Sequence, residues 1–95
     1  MKGYAVIELD IFDKEKIKEY KRVAPEIIKK YNGKIIVRGG GFLSLEGKWN
    51  PKRAVMIEFP TYEKAKEWWH SPAYGAAKKI KEKAANSSLV IFQGI

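Results

Sequence analysis

The spacing of hydrophobic residues changes in a fixed order along this chain, and that order constrains the fold more than any other feature. Residues 4–11 alternate, which predicts a strand whose fully apolar face is formed by Ala5, Ile7, Leu9 and Ile11. Residues 14–31 then place apolar side chains three and four apart, which predicts a helix that begins after a capping Asp13 and ends at Asn32-Gly33. Pro25 lies inside this helix and is expected to bend its axis.

Three consecutive glycines, Gly39–Gly41, interrupt the region that follows. Residues 34–38 and 42–46 flank them as two extended segments. A phosphate loop would place such glycines before a helix, whereas here they precede another extended segment. RNA-binding sheets stack bases on aromatic side chains, and Gly40 and Leu45 stand where two of those aromatics would be. The glycines are therefore expected to form a bulge or bend in one long strand.

The rest of the chain adds two strands and a helical segment. A turn at residues 49–51 leads to a strand over residues 53–59. Thr61 can cap the following helix, and Ser71-Pro72 restarts it because serine caps helices and proline fits their first turn. Residues 88–93 predict the last strand. The order β-α-β-β-α-β predicts an α+β ferredoxin-like fold with a four-stranded antiparallel sheet.

The length of the chain predicts one domain, residues 1–95, because two halves would be too small to bury adequate cores. Two helices can cover only one face of the sheet. Val6, Ala54 and Met56 lie on the other face, and a second copy of the chain would cover them. We therefore expect a homodimer that forms through the sheet face.

Composition removes several classes of function. The chain has no cysteine and a single histidine, His70, so neither a metal site nor another cofactor is expected. The net charge is +8, but only three of the basic residues are arginines, and such lysine usage favours a solvated surface over a nucleic-acid interface. No apolar run is long enough to span a membrane, and the N-terminus reads as a strand, so a cytoplasmic protein is expected.

Several segments resemble a known bacterial family, domain of unknown function 1330. The most telling are Arg38-Gly39-Gly40, Leu45-Glu46-Gly47 with Trp49 and Pro51, Ile57-Glu58-Phe59-Pro60, and Ser71-Pro72 with Tyr74. The sequence departs from the family at Asn32-Gly33-Lys34, where such proteins often read Tyr-Gly-Gly. The resemblance implies a dimeric α+β barrel, in which two ferredoxin-like chains pair their sheets, and it implies no particular activity.

The candidate catalytic residues are His70, Glu58 and Arg38. His70 or Glu58 could transfer a proton, and Arg38 could hold an anionic oxygen. Arg38 or Arg53 could instead neutralise Glu58 or Glu8, which is the commoner use of such carboxylates.

Aromatic residues could line a pocket between the helices and the sheet, or they could simply fill the core, which is the more common arrangement. The candidate ligand-binding residues are Tyr20, Tyr31, Phe42, Trp69 and Tyr74.

Three functional hypotheses follow. The first is a small dimeric protein that binds or transforms a small apolar or aromatic metabolite without metal. The second is a haem-binding protein or enzyme with His70 as its ligand, because haem-degrading relatives at superfamily level use a tryptophan and a histidine from this helix region. The third is a structural dimer without chemistry, or a stabilised or designed scaffold.

Overall fold

The computed structural model describes residues 1–95 as one four-stranded antiparallel sheet with three helices. The strands are β1 (Gly3–Ile11), β2 (Lys34–Gly39), β3 (Arg53–Phe59) and β4 (Ala85–Gln93). The helices are α1 (Ile17–Lys30), α2 (Tyr62–His70) and α3 (Pro72–Glu82). The strand order is β2-β3-β1-β4, which places the two strands that precede helices, β1 and β3, beside each other in the centre of the sheet. The predicted ferredoxin-like α+β fold is confirmed.

Two of the predicted helix caps are present. The hydroxyl of Thr61 accepts the backbone N–H of Lys64 at 3.0 Å, and the hydroxyl of Ser71 accepts that of Tyr74 at 3.1 Å. Such caps satisfy amides that have no partner within the helix. The Asp13 carboxylate accepts the backbone N–H groups of Glu15 and Lys16, but these residues form a turn, and α1 begins at Ile17, later than predicted.

The core lies between the helices and one face of the sheet. The alternating residues Ala5, Ile7 and Leu9 of β1 are buried, as are Ile57 and Phe59 of β3. The helices add Ile17, Tyr20, Ala24, Ile28, Ala65, Trp68, Tyr74 and Ala77. Burying a large apolar side chain contributes roughly 1.5–3 kcal/mol, so this face supplies most of the driving force for folding.

The prediction for the glycine region was wrong in two respects. β2 ends at Gly39, whose φ is 117°, and residues 42–46 are an exposed loop rather than a continuation of the strand. The reason is that β3 begins at Arg53, so a longer β2 has no strand to pair with. The bulge lies at Ile36, between the pairs Ile35–Ile57 and Val37–Met56, and not at the glycines.

The last strand is longer than predicted. It begins at Ala85 rather than Ser88, because the register of β1 with β4 continues to the pair Ile11–Ala85. Residues 85–87 are mostly polar and carry no apolar alternation, so only the pairing with β1 shows that they are extended.

The face of the sheet that carries no helix has an apolar row across all four strands. Val37, Met56, Val6 and Val90 are successive partners in the strand register. The side chains at the ends of the row are the more exposed, 43% for Val37 and 51% for Val90. We call this the outer face.

None of the helices is long and apolar enough to cross a membrane.

The loop over residues 40–52 is anchored to the outer face by a tryptophan. The indole Nε1 of Trp49 donates to Oε2 of Glu8 at 3.2 Å. The Ser44 hydroxyl donates to the backbone carbonyl of Trp49 at 3.1 Å, which closes the loop on itself. The loop therefore borders the apolar row.

Candidate functional site

A cavity of about 260 Å³ lies between α1 and the face of the sheet that the helices cover. Its walls are mainly apolar side chains of α1 and of the three strands β1, β2 and β3. The lining residues are Ile7, Leu9, Ile17, Tyr20, Lys21, Ala24, Pro25, Ile28, Ile35, Arg38, Arg53 and Val55. We call this the α1 cavity.

The strand register explains why two arginines reach the α1 cavity. Arg53 pairs with Leu9, and Leu9 belongs to the buried face of β1. Arg38 pairs with Val55, which also lines the cavity. In a regular strand Ile35 and Arg38 would point to opposite faces, because side chains alternate. The extra residue at Ile36 reverses the alternation, so the bulge brings Arg38 to the same face as Ile35.

Neither cavity arginine has an acidic partner. The ion pairs of the protein involve other basic residues, and no aspartate or glutamate lines the α1 cavity. The Nε atom of Arg53 is buried and makes no hydrogen bond. An unpaired buried donor on a charged group costs about 1–3 kcal/mol or more, so an anionic oxygen that reached this atom would be bound favourably.

A chain of three buried polar groups lies behind the cavity wall. The hydroxyl of Tyr20 is 3.0 Å from the hydroxyl of Tyr74, and Nζ of Lys81 donates to the latter at 3.3 Å. Burial raises the pKa of Tyr20 and of Tyr74, and the hydrogen bond to Tyr74 partly offsets the effect on the Tyr20 pKa. Burial also lowers the pKa of Lys81. All three groups are therefore held toward their neutral forms.

The candidate catalytic residues do not come together. Arg38 lines the α1 cavity. His70 is exposed at the end of α2. Glu58 faces the outer side of the sheet, where its carboxylate is 3.2 Å from Nζ of Lys2. The ion pairs considered between Glu58 or Glu8 and the arginines are absent, because the arginines lie on the opposite face of the sheet.

The candidate ligand-binding residues are also dispersed. Tyr20 lines the α1 cavity. Tyr74 does not line it, but its hydroxyl lies 3.0 Å from the hydroxyl of Tyr20. Tyr31 is half-buried against the core, and Phe42 is exposed in the loop. Trp69 is half-buried and lines a separate cavity beside Lys81.

Aromatic packing fills only one side of the core. Trp68 is fully buried, with its ring centroid 5.3 Å from that of Phe59 and 4.2 Å from that of Tyr74. Its indole N–H has no partner. The aromatic residues thus fill the core around Trp68, between Phe59 and Tyr74, whereas the space under α1 stays open.

The sequence did not point to two residues of these sites. The sequence suggests Arg53 only as a counter-ion, although its position two residues before Val55, on an apolar face of the strand, indicates that it faces the core side. Lys81 lies seven residues after Tyr74, on the buried stripe of α3 that includes Ala77. A lysine in phase with buried residues of a helix was the signal for it.

The fold is shared with several solved structures. A protein of unknown function from Rhodopseudomonas palustris is 18% identical, with a TM-score of 0.77 over 99% of this chain and 82% of that chain. A dimeric ferredoxin-like protein of unknown function from Jannaschia sp. CCS1 is 10% identical, with a TM-score of 0.71 over 99% and 100%. SnoaB, a cofactor-independent oxygenase from Streptomyces nogalater, is 12% identical, with a TM-score of 0.59 over 99% and 93%.

These identities are low, so the likeness shows the fold and not an activity. No curated protein matches the chain. The family model described as "Domain of unknown function (DUF1330)" matches residues 2–95, which is nearly the whole sequence. The resemblance found in the sequence is thereby confirmed, and the chain belongs to this family.

Proposed function

We propose that the protein binds a small apolar or aromatic molecule that carries one anionic oxygen, in the α1 cavity. The observation that carries this proposal is the buried, unpaired Nε of Arg53 at a cavity whose other walls are mostly apolar. The ligand's apolar body would lie against Ile7 and Ile28, and its anionic oxygen would be held by Arg53 and Arg38. The ligand would then supply the hydrogen bond that the protein itself leaves unmade.

The size of the cavity limits the ligand. Pockets for drug-sized molecules measure about 300–1,000 Å³, and the α1 cavity, at about 260 Å³, lies just below that range. A benzoate-sized metabolite suits it better than a haem. The haem hypothesis gains no support, because His70 lines neither the α1 cavity nor the cavity beside Lys81.

The proposal is tested by titrating the protein with benzoate and with its neutral analogue benzamide, using calorimetry at low salt. Benzoate should bind more tightly, since only its carboxylate can pair with the arginines. Hydrogen bonds to charged groups contribute about 1.5–3 kcal/mol, so Arg53→Met should weaken benzoate binding roughly 10- to 100-fold. Arg38→Met should have a smaller effect in the same direction, because Arg38 is more exposed.

Arg22→Met is the matched control, because Arg22 already pairs with Glu19 on the exposed face of α1 and does not line the cavity. It removes the same charge and should leave benzoate binding within about twofold. Equal weakening by Arg22→Met and Arg53→Met would show that only the net positive charge attracts the anion. Failure of benzoate and of larger aromatic and branched aliphatic acids to bind would refute the proposal.

We also propose that two chains pair through their outer faces. The apolar row of Val37, Met56, Val6 and Val90 supports this arrangement, and two similar solved structures are described as dimeric. Val90→Glu should shift the protein to monomers in sedimentation, because a charge in a closed symmetric interface would be buried twice. Ala76→Glu places the same charge on an exposed part of α3 and should leave the assembly unchanged. Equal sedimentation of both variants would refute the pairing.

A further inference from the structure

Lys81 occupies an unusual position for a lysine. It is only 2% exposed, and it shares the buried stripe of α3 with Tyr74 and Ala77. Lysines are almost never fully buried unless an acidic group pairs with them. Lys81 makes no ion pair, and its single side-chain hydrogen bond goes to the hydroxyl of Tyr74 at 3.3 Å. The amine is therefore buried without a counter-ion.

Burial favours the neutral form of Lys81, whereas the two aromatic rings beside its amine favour the ammonium. The ring of Tyr20 on α1 lies with its centroid 5.8 Å from Nζ, and the ring of Tyr74 on the same helix as Lys81 lies at 5.7 Å, distances at which a ring attracts a cation. Burial is the largest cause of its lowered pKa; the charge of Glu82 raises that pKa and the charge of Lys78 lowers it further. Glu82 is exposed, so solvent screens its opposing effect.

Lys81 also lines a second cavity, of about 350 Å³, which we call the α3 cavity. The residues that line it with Lys81 are Trp69, Lys78, Glu82, Ala85, Asn86, Ser87 and Leu89. The Nζ of Lys78 lies 3.9 Å from the centre of the Trp69 ring, so these two side chains form one wall. The contributions from α2 and β4 are uncharged: Trp69, Ala85, Asn86, Ser87 and Leu89. A small carbonyl compound has both apolar and polar surfaces to contact here.

We propose that Lys81 is a nucleophilic amine that forms an imine with a small aldehyde or ketone bound in the α3 cavity. A neutral lysine amine in a desolvated site is the usual nucleophile for this chemistry. Its nitrogen lone pair attacks the carbonyl carbon, and the carbonyl π electrons move to oxygen. The nitrogen, now positively charged, passes one of its two protons to that oxygen, which gives the neutral carbinolamine. The C–O bond of the carbinolamine then breaks as C=N forms, and water leaves.

Tyr74 is placed to assist the loss of water. Its hydroxyl lies at hydrogen-bond distance from Nζ of Lys81 and is held by the hydroxyl of Tyr20 at 3.0 Å. Burial raises the pKa of Tyr74, so this hydroxyl keeps its proton but is a weak acid, and it acts as a relay that gives a proton to the departing oxygen as it takes one from nitrogen. The proton that nitrogen loses returns to Tyr74. The net change is one amine and one carbonyl giving one imine and one water.

The test is to treat the native protein with substoichiometric benzaldehyde and sodium cyanoborohydride near neutral pH, and to map the reduced adduct by mass spectrometry. Fifteen other lysines compete, and most of them are exposed. We expect Lys81 to carry most of the label and to react at least tenfold faster than the average surface lysine. Its labelling rate should also level off at lower pH than that of the surface lysines. Labelling spread evenly over the surface lysines, with Lys81 unmodified, would overturn the proposal.

Variants separate the roles of the amine and the hydroxyl. Lys81→Arg removes the nucleophilic amine and should abolish the selective label. Lys79→Arg is the matched control that should keep the label, because Lys79 is an exposed residue of α3 that does not line the α3 cavity. Tyr74→Phe should retain Lys81 as the modified site but slow imine formation about tenfold or more, since it removes the proton donor. An unchanged rate in Tyr74→Phe, with circular dichroism like that of the unchanged protein, would refute the role of Tyr74. The wild-type map decides the role of Lys81 even if a variant fails to fold.

Discussion

Gly3 lies where the start of β1 passes beneath the start of α2, and the space there is too small for an added methyl group. A Cβ on Gly3 would lie 2.8 Å from Cα of Tyr62 and 2.9 Å from the carbonyl oxygen of Thr61. Both obstructing atoms belong to the main chain, so rotating a side chain cannot relieve the contact. The Thr61 carbonyl also accepts the N–H of Ala65 in the first turn of α2. Gly3→Ala must therefore separate α2 from the sheet or distort that turn.

The expected loss of stability in Gly3→Ala is the difference between two opposing effects. Overpacking costs about 1–3 kcal/mol, and main-chain obstruction favours the upper half of that range. Replacing glycine by alanine within a strand recovers about 0.5–1 kcal/mol of conformational entropy. The net loss of stability is about 1–2.5 kcal/mol, which lowers the Tm of a domain of this size by roughly 4–20 °C.

Thermal unfolding followed by circular dichroism, at one fixed protein concentration, measures this loss. Gly75→Ala is the matched control, because Gly75 lies inside α3 and an added Cβ meets no atom within 4 Å. This control should raise the Tm by a few degrees, as alanine is the better helix former by about 0.8–1 kcal/mol. A Gly3→Ala protein that melts within 2 °C of the unchanged protein would refute the close contact between β1 and α2.

Three further changes address the caps and the buried polar chain. Ser71→Ala should lower the free energy of unfolding, measured in urea, by about 1–2 kcal/mol. The reason is that the Ser71 hydroxyl both accepts the Tyr74 N–H and donates to the Trp68 carbonyl at 2.7 Å. A loss below about 0.5 kcal/mol would contradict this role. Tyr20→Phe leaves the Tyr74 hydroxyl without one hydrogen-bond partner, so it should lower the free energy of unfolding by about 1–3 kcal/mol, more than the same change at an exposed position. An unchanged free energy of unfolding would argue against the hydrogen bond between the two hydroxyls. The folded-state pKa of Lys81 lies below its unfolded value, so between the two the unfolded chain binds more protons and the free energy of unfolding should rise with pH. In urea titrations from pH 7 to 10, Lys81→Met should reduce the increase of the free energy of unfolding with pH. An identical slope in both proteins would refute the contribution of Lys81.

The sequence predicted the topology because each element carries its own local signal. The two-residue alternation in β1, the cap at Thr61 and the Ser71-Pro72 restart depend only on neighbouring residues, and the structure confirms all three. The beginning of β4 had no such signal, because residues 85–87 are extended only through their pairing with β1.

The α1 cavity was harder to predict, since it depends on register. Arg38 faces the cavity because of the bulge at Ile36, and an isoleucine within an apolar run gives no sign of a bulge. The glycines that follow are typical of bulges, and for that reason the sequence predicted the bulge at Gly39–Gly41 instead of at Ile36. Arg53 and Lys81 were missed because charged residues in an apolar pattern read as surface positions, and only the assembled core shows that they are enclosed.

The three tryptophans lie in three separate regions, so each can report on a different event. Trp49 borders the outer face through its bond to Glu8, Trp69 lies against Lys78 at the α3 cavity, and Trp68 is enclosed by Phe59 and Tyr74. Proteins that retain one tryptophan each, with phenylalanine at the other two positions, would give three fluorescence signals. Dilution would then change the emission of Trp49 if chains separate, a carbonyl ligand would quench Trp69, and only global unfolding would expose Trp68.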